Sequence, residues 1–115
     1  YKEATNEEVE QFLAEPFIEL TDDYNLDKVS KPNRKRIGLA MATLEAMSAD
    51  DKANMLDYID GYCGEQMLKL DREKQKFEIS NDDELKILLY GIEQRFYTTP
   101  FSHEKRLANS VLAIN

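Results

Sequence analysis

Residues 67–79 read MLKLDREKQKFEI, and this stretch decides the fold class because its apolar residues alternate with charged ones. The alternation covers residues 67–70 and 76–79, on either side of the polar connection 71–75. A period of two residues is typical of strands with one buried face, so we predict a β-hairpin here. An isolated hairpin is only marginally stable in water and must pack on other elements. Residues 17–20 are the only other segment that could add a third strand.

Most of the remaining apolar residues recur at helical spacing, which predicts a mainly helical domain. Thr5 and Glu8 have the spacing of a capping box and open a helix over about 6–15. The other predicted helices begin at residues with capping or first-turn character and cover about 30–47, 48–64, 80–96 and 102–114, with a loop at 21–29. Because the connection between the second and third helices is short, we expect them to pack as an antiparallel helical hairpin. The predicted fold class is α+β, predominantly helical, with four to five helices, that helical hairpin and one β-hairpin.

The composition is that of a folded domain. The chain has 115 residues, a formal charge of −8, 42% hydrophobic residues and 33% charged residues, which suits a single domain over 1–115. No apolar run reaches the ~20 residues of a membrane-spanning helix, so no membrane contact is expected. The single Cys63 cannot form an internal disulfide, which favours a cytoplasmic location. Because the chain begins with Tyr1 rather than Met, we expect a domain excised from a larger protein.

The negative charge is unevenly distributed along the chain. Residues 1–30 carry −7 and residues 37–66 carry −5, whereas residues 31–36 carry +4. An acidic surface repels polyanions, so the net charge excludes broad, non-specific binding of nucleic acids. It does not exclude one small, local basic contact. The candidate contact residues in this basic run are Lys31, Arg34, Lys35 and Arg36.

Two interpretations of the basic run remain open. Cations in the first turns of a helix oppose the helix dipole and cost a few tenths of a kcal/mol each. The first interpretation, which we favour, is pairing with the acidic loop at 19–27. The second is contact with a phosphate backbone or an acidic partner.

The segment 95–106 holds the second group of candidate residues. It joins two predicted helices and offers hydroxyls, aromatic rings, three cations and the only histidine. Backbone N–H groups at the start of the predicted last helix could bind an anion beside Lys105 or Arg106, with Tyr97 and His103 nearby. The alternative, which we favour, is that Phe96 and Phe101 fill the core and the charges are solvated.

Metal, cofactor and catalytic motifs are weak. A structural zinc site needs four Cys or His ligands, and the chain has one of each. Asp57 and Asp60 share a helix face, but solvated surface charge explains them. A Cys63–His103 pair would need the fold to bring the two together, and Cys63 lies on an apolar stripe. The glycines match no phosphate-binding loop. We therefore expect no catalytic residue, no metal site and no cofactor.

The C-terminal half resembles a bacterial family of unknown function that includes the B component of the Kiwa phage-defence system. The resemblance rests on the charged hairpin 68–79 with its internal Asp71, the leucine-rich helix 82–90, and the tail 97–110. It implies a role in phage defence with DNA association suggested, and it transfers no catalytic motif to this chain.

The leading functional hypothesis is a non-catalytic protein-interaction or regulatory module of a larger bacterial protein. Its partner would be another protein, a neighbouring domain of the parent chain or a second copy of the chain. Apolar residues at 17–18 and 111–114 would help to form that contact. The alternative is nucleic-acid association through 31–36 with Lys105 and Arg106. A small enzyme using His103 with Tyr97 or Cys63 is the third hypothesis.

Overall fold

The computed structural model describes residues 2–21, 23–110, 112 and 114. In chain order the elements are α1 (Asn6–Leu13), β1 (Ile18–Leu20), a 3-10 turn (Leu26–Lys28), α2 (Lys31–Glu45), α3 (Ala49–Tyr62), β2 (Lys69–Asp71), β3 (Lys76–Ile79), α4 (Asp82–Ile92), β4 (Phe96–Thr98) and β5 (Lys105–Leu107). This confirms the α+β class. Among the described residues, no helix has the length and apolar character needed to cross a membrane.

The helix starts follow from local side-chain chemistry. Thr5 and Ser48 each form a capping box, in which the hydroxyl accepts from the backbone three residues later and the acid there accepts in return. Ser30 and Asn81 cap α2 and α4 without a capping box: each side-chain oxygen accepts from the backbone N–H three residues later. These caps satisfy donors that the first turn leaves unpaired, and they confirm the predicted starts.

The predicted β-hairpin forms a three-stranded sheet together with β1. This strand lies in 17–20, the only other segment predicted as a candidate strand. The strand order is β1-β3-β2, with β1 parallel to β3 and β2 antiparallel to it. Phe77 and Ile79 of β3 are fully buried and alternate with half-buried charged residues. The central strand therefore supplies the apolar face that the alternation predicts.

The core lies where α4 meets the other helices and the sheet. Leu85, Leu88, Leu89 and Ile92 of α4 are completely buried. Both α2 and α3 pack on α4 more extensively than on each other. The expected direct packing of α2 against α3 is therefore wrong. A stripe of apolar residues indicates that one face of a helix is buried, but it does not indicate which element buries it. Here α4 packs on both α2 and α3.

Two polar contacts set the direction of α2 along α4. Near the start of both helices the fully buried Asn33 donates from Nδ2 to the carbonyl of Asp82 at 2.9 Å. Near their ends Thr43 donates from Oγ1 to Oε1 of Glu93, also at 2.9 Å. The two helices therefore run side by side in the same direction, and the buried amide of Asn33 is hydrogen-bonded through both its Nδ2 and its Oδ1.

The last third of the chain differs from its prediction. Helix α4 ends at Ile92 rather than 96, and β4 follows directly. The helix expected from Ser102 is wrong, because 105–107 is a strand paired with β4 in a second, two-stranded sheet. Of the apolar residues expected at the end of that helix, Leu112 and Ile114 are exposed, and Val111 lies outside the described residues. Helix α1 likewise stops at Leu13, two residues before the predicted end.

Candidate interaction surface on the second hairpin

The β4–β5 hairpin has an inner and an outer face. In the antiparallel register Phe96 faces Leu107, Tyr97 faces Arg106 and Thr98 faces Lys105. Because side chains alternate along a strand, the first and third pairs share one face and the middle pair occupies the other. Phe96 is buried, whereas Tyr97 remains 42% exposed. The outer face therefore presents Tyr97 and Arg106 to solvent.

The inner face is anchored on α3 by two tyrosines. The Tyr62 ring stacks on Phe96 with centroids 5.8 Å apart, and Tyr58 lies 5.9 Å from the same ring. The Tyr58 hydroxyl donates to the carbonyl of Phe96, and the Tyr62 hydroxyl is 2.8 Å from Oγ1 of Thr98. Burial raises the pKa of Tyr58 above its usual value, which keeps this phenol protonated and able to donate. The hairpin is therefore fixed in place.

The tip of the hairpin is organised around Thr99. Its backbone N–H donates to the carbonyl of Glu104 at 2.9 Å, and its Oγ1 accepts from the N–H of Glu104 at 2.8 Å. The N–H of His103 donates to the carbonyl of Thr99, and His103 adopts φ 56°. The Thr99 and Ser102 hydroxyls also contact each other. These bonds close a turn over residues 100–103 without a glycine.

Phe101 projects from this turn with 93% of its surface exposed. We expected it to fill the core, and that expectation is wrong because it lies at the tip of a hairpin whose inner face is already occupied by Phe96. A fully exposed phenylalanine on an ordered turn gains nothing for folding. Its aromatic surface is available to another molecule.

The structure brings together one of the two predicted groups of site residues. Tyr97, His103, Lys105 and Arg106 all lie on this exposed hairpin. Arg106 pairs with Glu104 at 2.7 Å, which raises the pKa of its guanidinium. Lys105 donates from Nζ to the carbonyl of Gly61 at 2.7 Å and lies over the Tyr62 ring. The alternative that we did not favour, an anion site at a helix start beside these cations, does not hold because residues 105–107 form a strand.

The basic run at 31–36 is dispersed by the fold. Arg34 donates to the carbonyls of Val29 and Leu26 at 3.3 and 3.1 Å and to Oδ1 of Asn6 at 2.8 Å. Of these three acceptors only the carbonyl of Leu26 belongs to the loop at 19–27, and among the described residues no carboxylate of that loop receives the guanidinium. Lys31 and Lys35 are exposed.

Arg36 points in a different direction from Arg34. It donates from Nη1 to Oδ1 of Asn33 at 2.7 Å and lies 5.0 Å from the centroid of the Tyr90 ring. Among the described residues, the ion pairs are Lys69–Glu78, Arg72–Asp60, Lys74–Glu19 and Arg106–Glu104. The four cations of the basic run take part in none of them.

The thiol and the histidine considered for catalysis have different environments. Cys63 is buried, and burial raises the pKa of its thiol to about 11, whereas His103 is exposed on the turn. A thiol with that pKa is protonated at neutral pH and is a poor nucleophile. A cavity of about 430 Å³ lies between α3 and the end of α4. Neither His103 nor Tyr97 lines this cavity. Its lining residues are Met47, Asp51, Asn54, Met55, Tyr58 and Gln94.

Three carboxylates meet on the three-stranded sheet. Oxygens of Glu19, Asp71 and Glu78 lie within 4.8 Å of one another. Lys74 pairs with Glu19 at 3.1 Å, and Lys69 pairs with Glu78 at 3.6 Å. Two ammonium groups therefore already pair with two of the three carboxylates of this cluster. Asp60, considered above with Asp57 as a cation ligand, instead receives both terminal nitrogens of Arg72 at 3.1 and 3.3 Å.

Comparisons of the chain with protein-family models, with curated proteins and with solved structures gave no match. Functional inference therefore rests on the geometry described above, and the family resemblance of residues 67–110 stays a prediction.

Sequence reasoning missed two features of the surface. Phe101 was assigned to the core, although its place between Pro100 and Ser102 is typical of a turn, which is the signal that could have revealed its exposure. Lys86 and Arg95 were not singled out, yet both lie over the Tyr90 ring with Arg36. Lys86 and Tyr90 are four residues apart on α4 and are therefore neighbours on its surface, but Arg36 reaches them only through the packing of α2 on α4.

Proposed function

We propose that this chain is a non-catalytic protein-interaction module and that the β4–β5 hairpin is its contact surface. The observation that carries the proposal is the 93% exposure of Phe101 on a turn closed by several hydrogen bonds. Residues that dominate binding energies are often aromatic and are held in place before binding. A side chain on a rigid turn loses little conformational freedom when a partner encloses it.

The surroundings of Phe101 define the chemistry of the partner. Tyr97 and Arg106 lie on the outer face of the same hairpin, and His103 lies on the turn beside Phe101. Tyrosine and arginine are enriched in protein interfaces, where each offers apolar area with a polar end. We expect a protein surface with an apolar pocket for the phenylalanine ring and hydrogen-bond acceptors at its rim.

Further exposed apolar side chains follow the hairpin in the sequence. Leu112 and Ile114 are 89% and 95% exposed. In contrast, Phe17 and Ile18, which we expected to assist the contact, are 5% and 4% exposed and belong to the core. The apolar contribution therefore comes from the C-terminal side of the molecule.

The other two hypotheses have less support. A nucleic-acid contact through 31–36 would need several cations on one surface, but the Arg34 guanidinium is bound to carbonyls and Arg36 lies over the Tyr90 ring. Arg106, which would extend that contact, is paired with Glu104. The net charge of −8 opposes binding to a polyanion. An enzyme using Cys63 would need a thiolate, which the raised pKa of about 11 disfavours. A role in phage defence would depend on the partner that the hairpin binds.

Site-specific photocrosslinking tests the proposal. A photoreactive phenylalanine analogue placed at position 101 should give a discrete protein adduct in bacterial cells, and the same analogue at Met67, which is 42% exposed and is not part of the β4–β5 hairpin, should not. An adduct between two copies of the chain would identify a homodimer, and one with a different chain would identify the partner. Equal adducts from positions 101 and 67, or none from position 101, would contradict the proposed contact surface.

A further inference from the structure

Three cationic side chains from different parts of the fold surround one tyrosine. The guanidinium carbons of Arg36 and Arg95 lie 5.0 and 4.8 Å from the centroid of the Tyr90 ring. The ammonium nitrogen of Lys86 lies 5.6 Å from the same point. Arg36 belongs to α2, Lys86 to α4 one helical turn before Tyr90, and Arg95 to the segment that enters β4.

These cations have no carboxylate partner among the described residues. The ion pairs of that part of the chain involve other side chains, although acids outnumber bases by 23 to 15 in the whole sequence. Glu93, three residues after Tyr90, accepts from Thr43. An aromatic ring attracts cations but carries no net charge, so it does not neutralise them. The result is a local positive centre on an acidic protein.

The two guanidinium groups are held in position with donors to spare. Arg36 uses Nη1 for Oδ1 of Asn33 at 2.7 Å, and Arg95 uses Nη1 for the carbonyl of Asn109 at 2.7 Å. A guanidinium has five N–H donors in a fixed fork, so most of them stay available for a ligand. Both arginines and Lys86 are half-buried, which limits screening by solvent and salt. The site is therefore arranged before any anion binds.

We infer that Arg36, Lys86 and Arg95 form a binding site for a phosphate group carried by a small molecule or present as the free ion. Arginine forks match the oxygens of phosphate, and the lysine adds a point charge to the same anion. A bound phosphate dianion would reduce the repulsion between the three cations. Because it is small, it would not contact the rest of the acidic surface. Tyr90 is a buried residue, 8% exposed, so it offers no open platform on which a nucleotide base could stack.

Titration with inorganic phosphate at constant ionic strength tests this site, with backbone amide shifts in nitrogen-15 NMR spectra as the readout. The shifts should saturate and should centre on α4 around Tyr90 and on the start of β4. Arg36→Gln and Arg95→Gln should each weaken phosphate binding by about tenfold to hundredfold, as expected when one charged hydrogen-bond partner is lost. Lys35→Gln removes an exposed cation next to Arg36 and should change the affinity less than about twofold.

The control titrations separate specific binding from general attraction. Chloride at matched ionic strength should leave these shifts unchanged, and Arg36→Lys should bind more tightly than Arg36→Gln while keeping the fold, as judged by its amide spectrum. Phenyl phosphate should compete with the free ion if the natural ligand is a phosphomonoester, whereas binding of inorganic phosphate alone would identify the free ion. Shifts that do not saturate, equal effects of Lys35→Gln and Arg36→Gln, or much tighter binding of a single-stranded oligonucleotide would overturn the assignment.

Discussion

The phenol of Tyr24 donates a 2.8 Å hydrogen bond to Oδ1 of Asp82, a residue 58 positions further along the chain. The same carboxylate oxygen accepts from the backbone N–H of Ser30 at 3.2 Å. Asp82 therefore links the loop before α2, the start of α2 and the start of α4. Burial acts to raise the pKa of this carboxyl, but its hydrogen bonds from Ser30 and Tyr24 outweigh burial, so the pKa lies below its usual value.

This carboxylate predicts a loss of stability in acid. A group with a lowered pKa in the folded state stabilises the fold above its unfolded pKa, about 3.9 for Asp, and this contribution disappears as the pH falls through the folded pKa. The free energy of unfolding of the wild type should exceed that of Asp82→Asn by a constant amount above about pH 5. The difference should shrink below about pH 4, as measured by urea denaturation.

Asp83→Asn is the matched control for this prediction, because Asp83 is an exposed acid in the same first turn. Its stability difference from the wild type should stay small and vary weakly with pH. A pH dependence of Asp83→Asn equal to that of Asp82→Asn would show that the helix dipole, rather than the hydrogen bonds of Asp82, is responsible.

Gly91 predicts a second effect on stability, because α3 approaches α4 closely at this residue. A Cβ there would lie 2.6 Å from Cγ1 of Ile59, which is completely buried. Overpacking costs about 1–3 kcal/mol, whereas the gain in helix propensity from Gly to Ala is about 1 kcal/mol. Gly91→Ala should therefore lower the free energy of unfolding by up to about 2 kcal/mol.

Gly61 provides the matched comparison for Gly91. It lies in α3, and nothing is within 4 Å of the position that its Cβ would take. Gly61→Ala should therefore raise the free energy of unfolding by about 0.5–1 kcal/mol. Chemical denaturation of both variants decides the matter, and equal effects of the two substitutions would refute the close packing of α3 on α4.

His103 predicts a stabilising substitution in the second hairpin. Its φ of 56° lies in the left-handed region, which costs an L residue about 1–2 kcal/mol and costs glycine much less. His103→Gly should raise the free energy of unfolding by about 0.5–1 kcal/mol. Ser102→Gly, one residue earlier and without a positive φ, should lower it. If both substitutions destabilise the protein equally, the turn geometry described for residues 100–103 is wrong.

The first eighty or so residues were largely predictable because local chemistry determines their elements. Thr5, Ser30 and Ser48 cap helices at the expected positions, and the alternation in 67–79 marks two strands. The packing partners were not predictable in the same way. An apolar stripe specifies a buried face, but the close approach of Ile59 to Gly91 depends on residues far apart in the sequence.

The candidate site escaped prediction for a related reason. Phe96 fits both the helical spacing of α4 and the alternation of a strand. Contacts with Tyr58 and Tyr62, more than thirty residues earlier in the sequence, hold this segment as a strand. The turn that exposes Phe101 has no glycine or asparagine at its left-handed position, so the usual hairpin signal is missing. Likewise, Arg36 and Arg95 meet at Tyr90 only in the folded chain.

The affinity of the photocrosslinked partner for purified Phe101→Ala, measured by calorimetry beside the wild type and Met67→Ala, tests the central claim most directly. Burying a phenylalanine side chain contributes about 1.5–3 kcal/mol, so Phe101→Ala should weaken binding by about tenfold to hundredfold. Met67→Ala should bind like the wild type, and both variants should keep the unfolding free energy of the wild type within about 0.5 kcal/mol. Unchanged affinity of Phe101→Ala would contradict the claim that this hairpin is the contact surface.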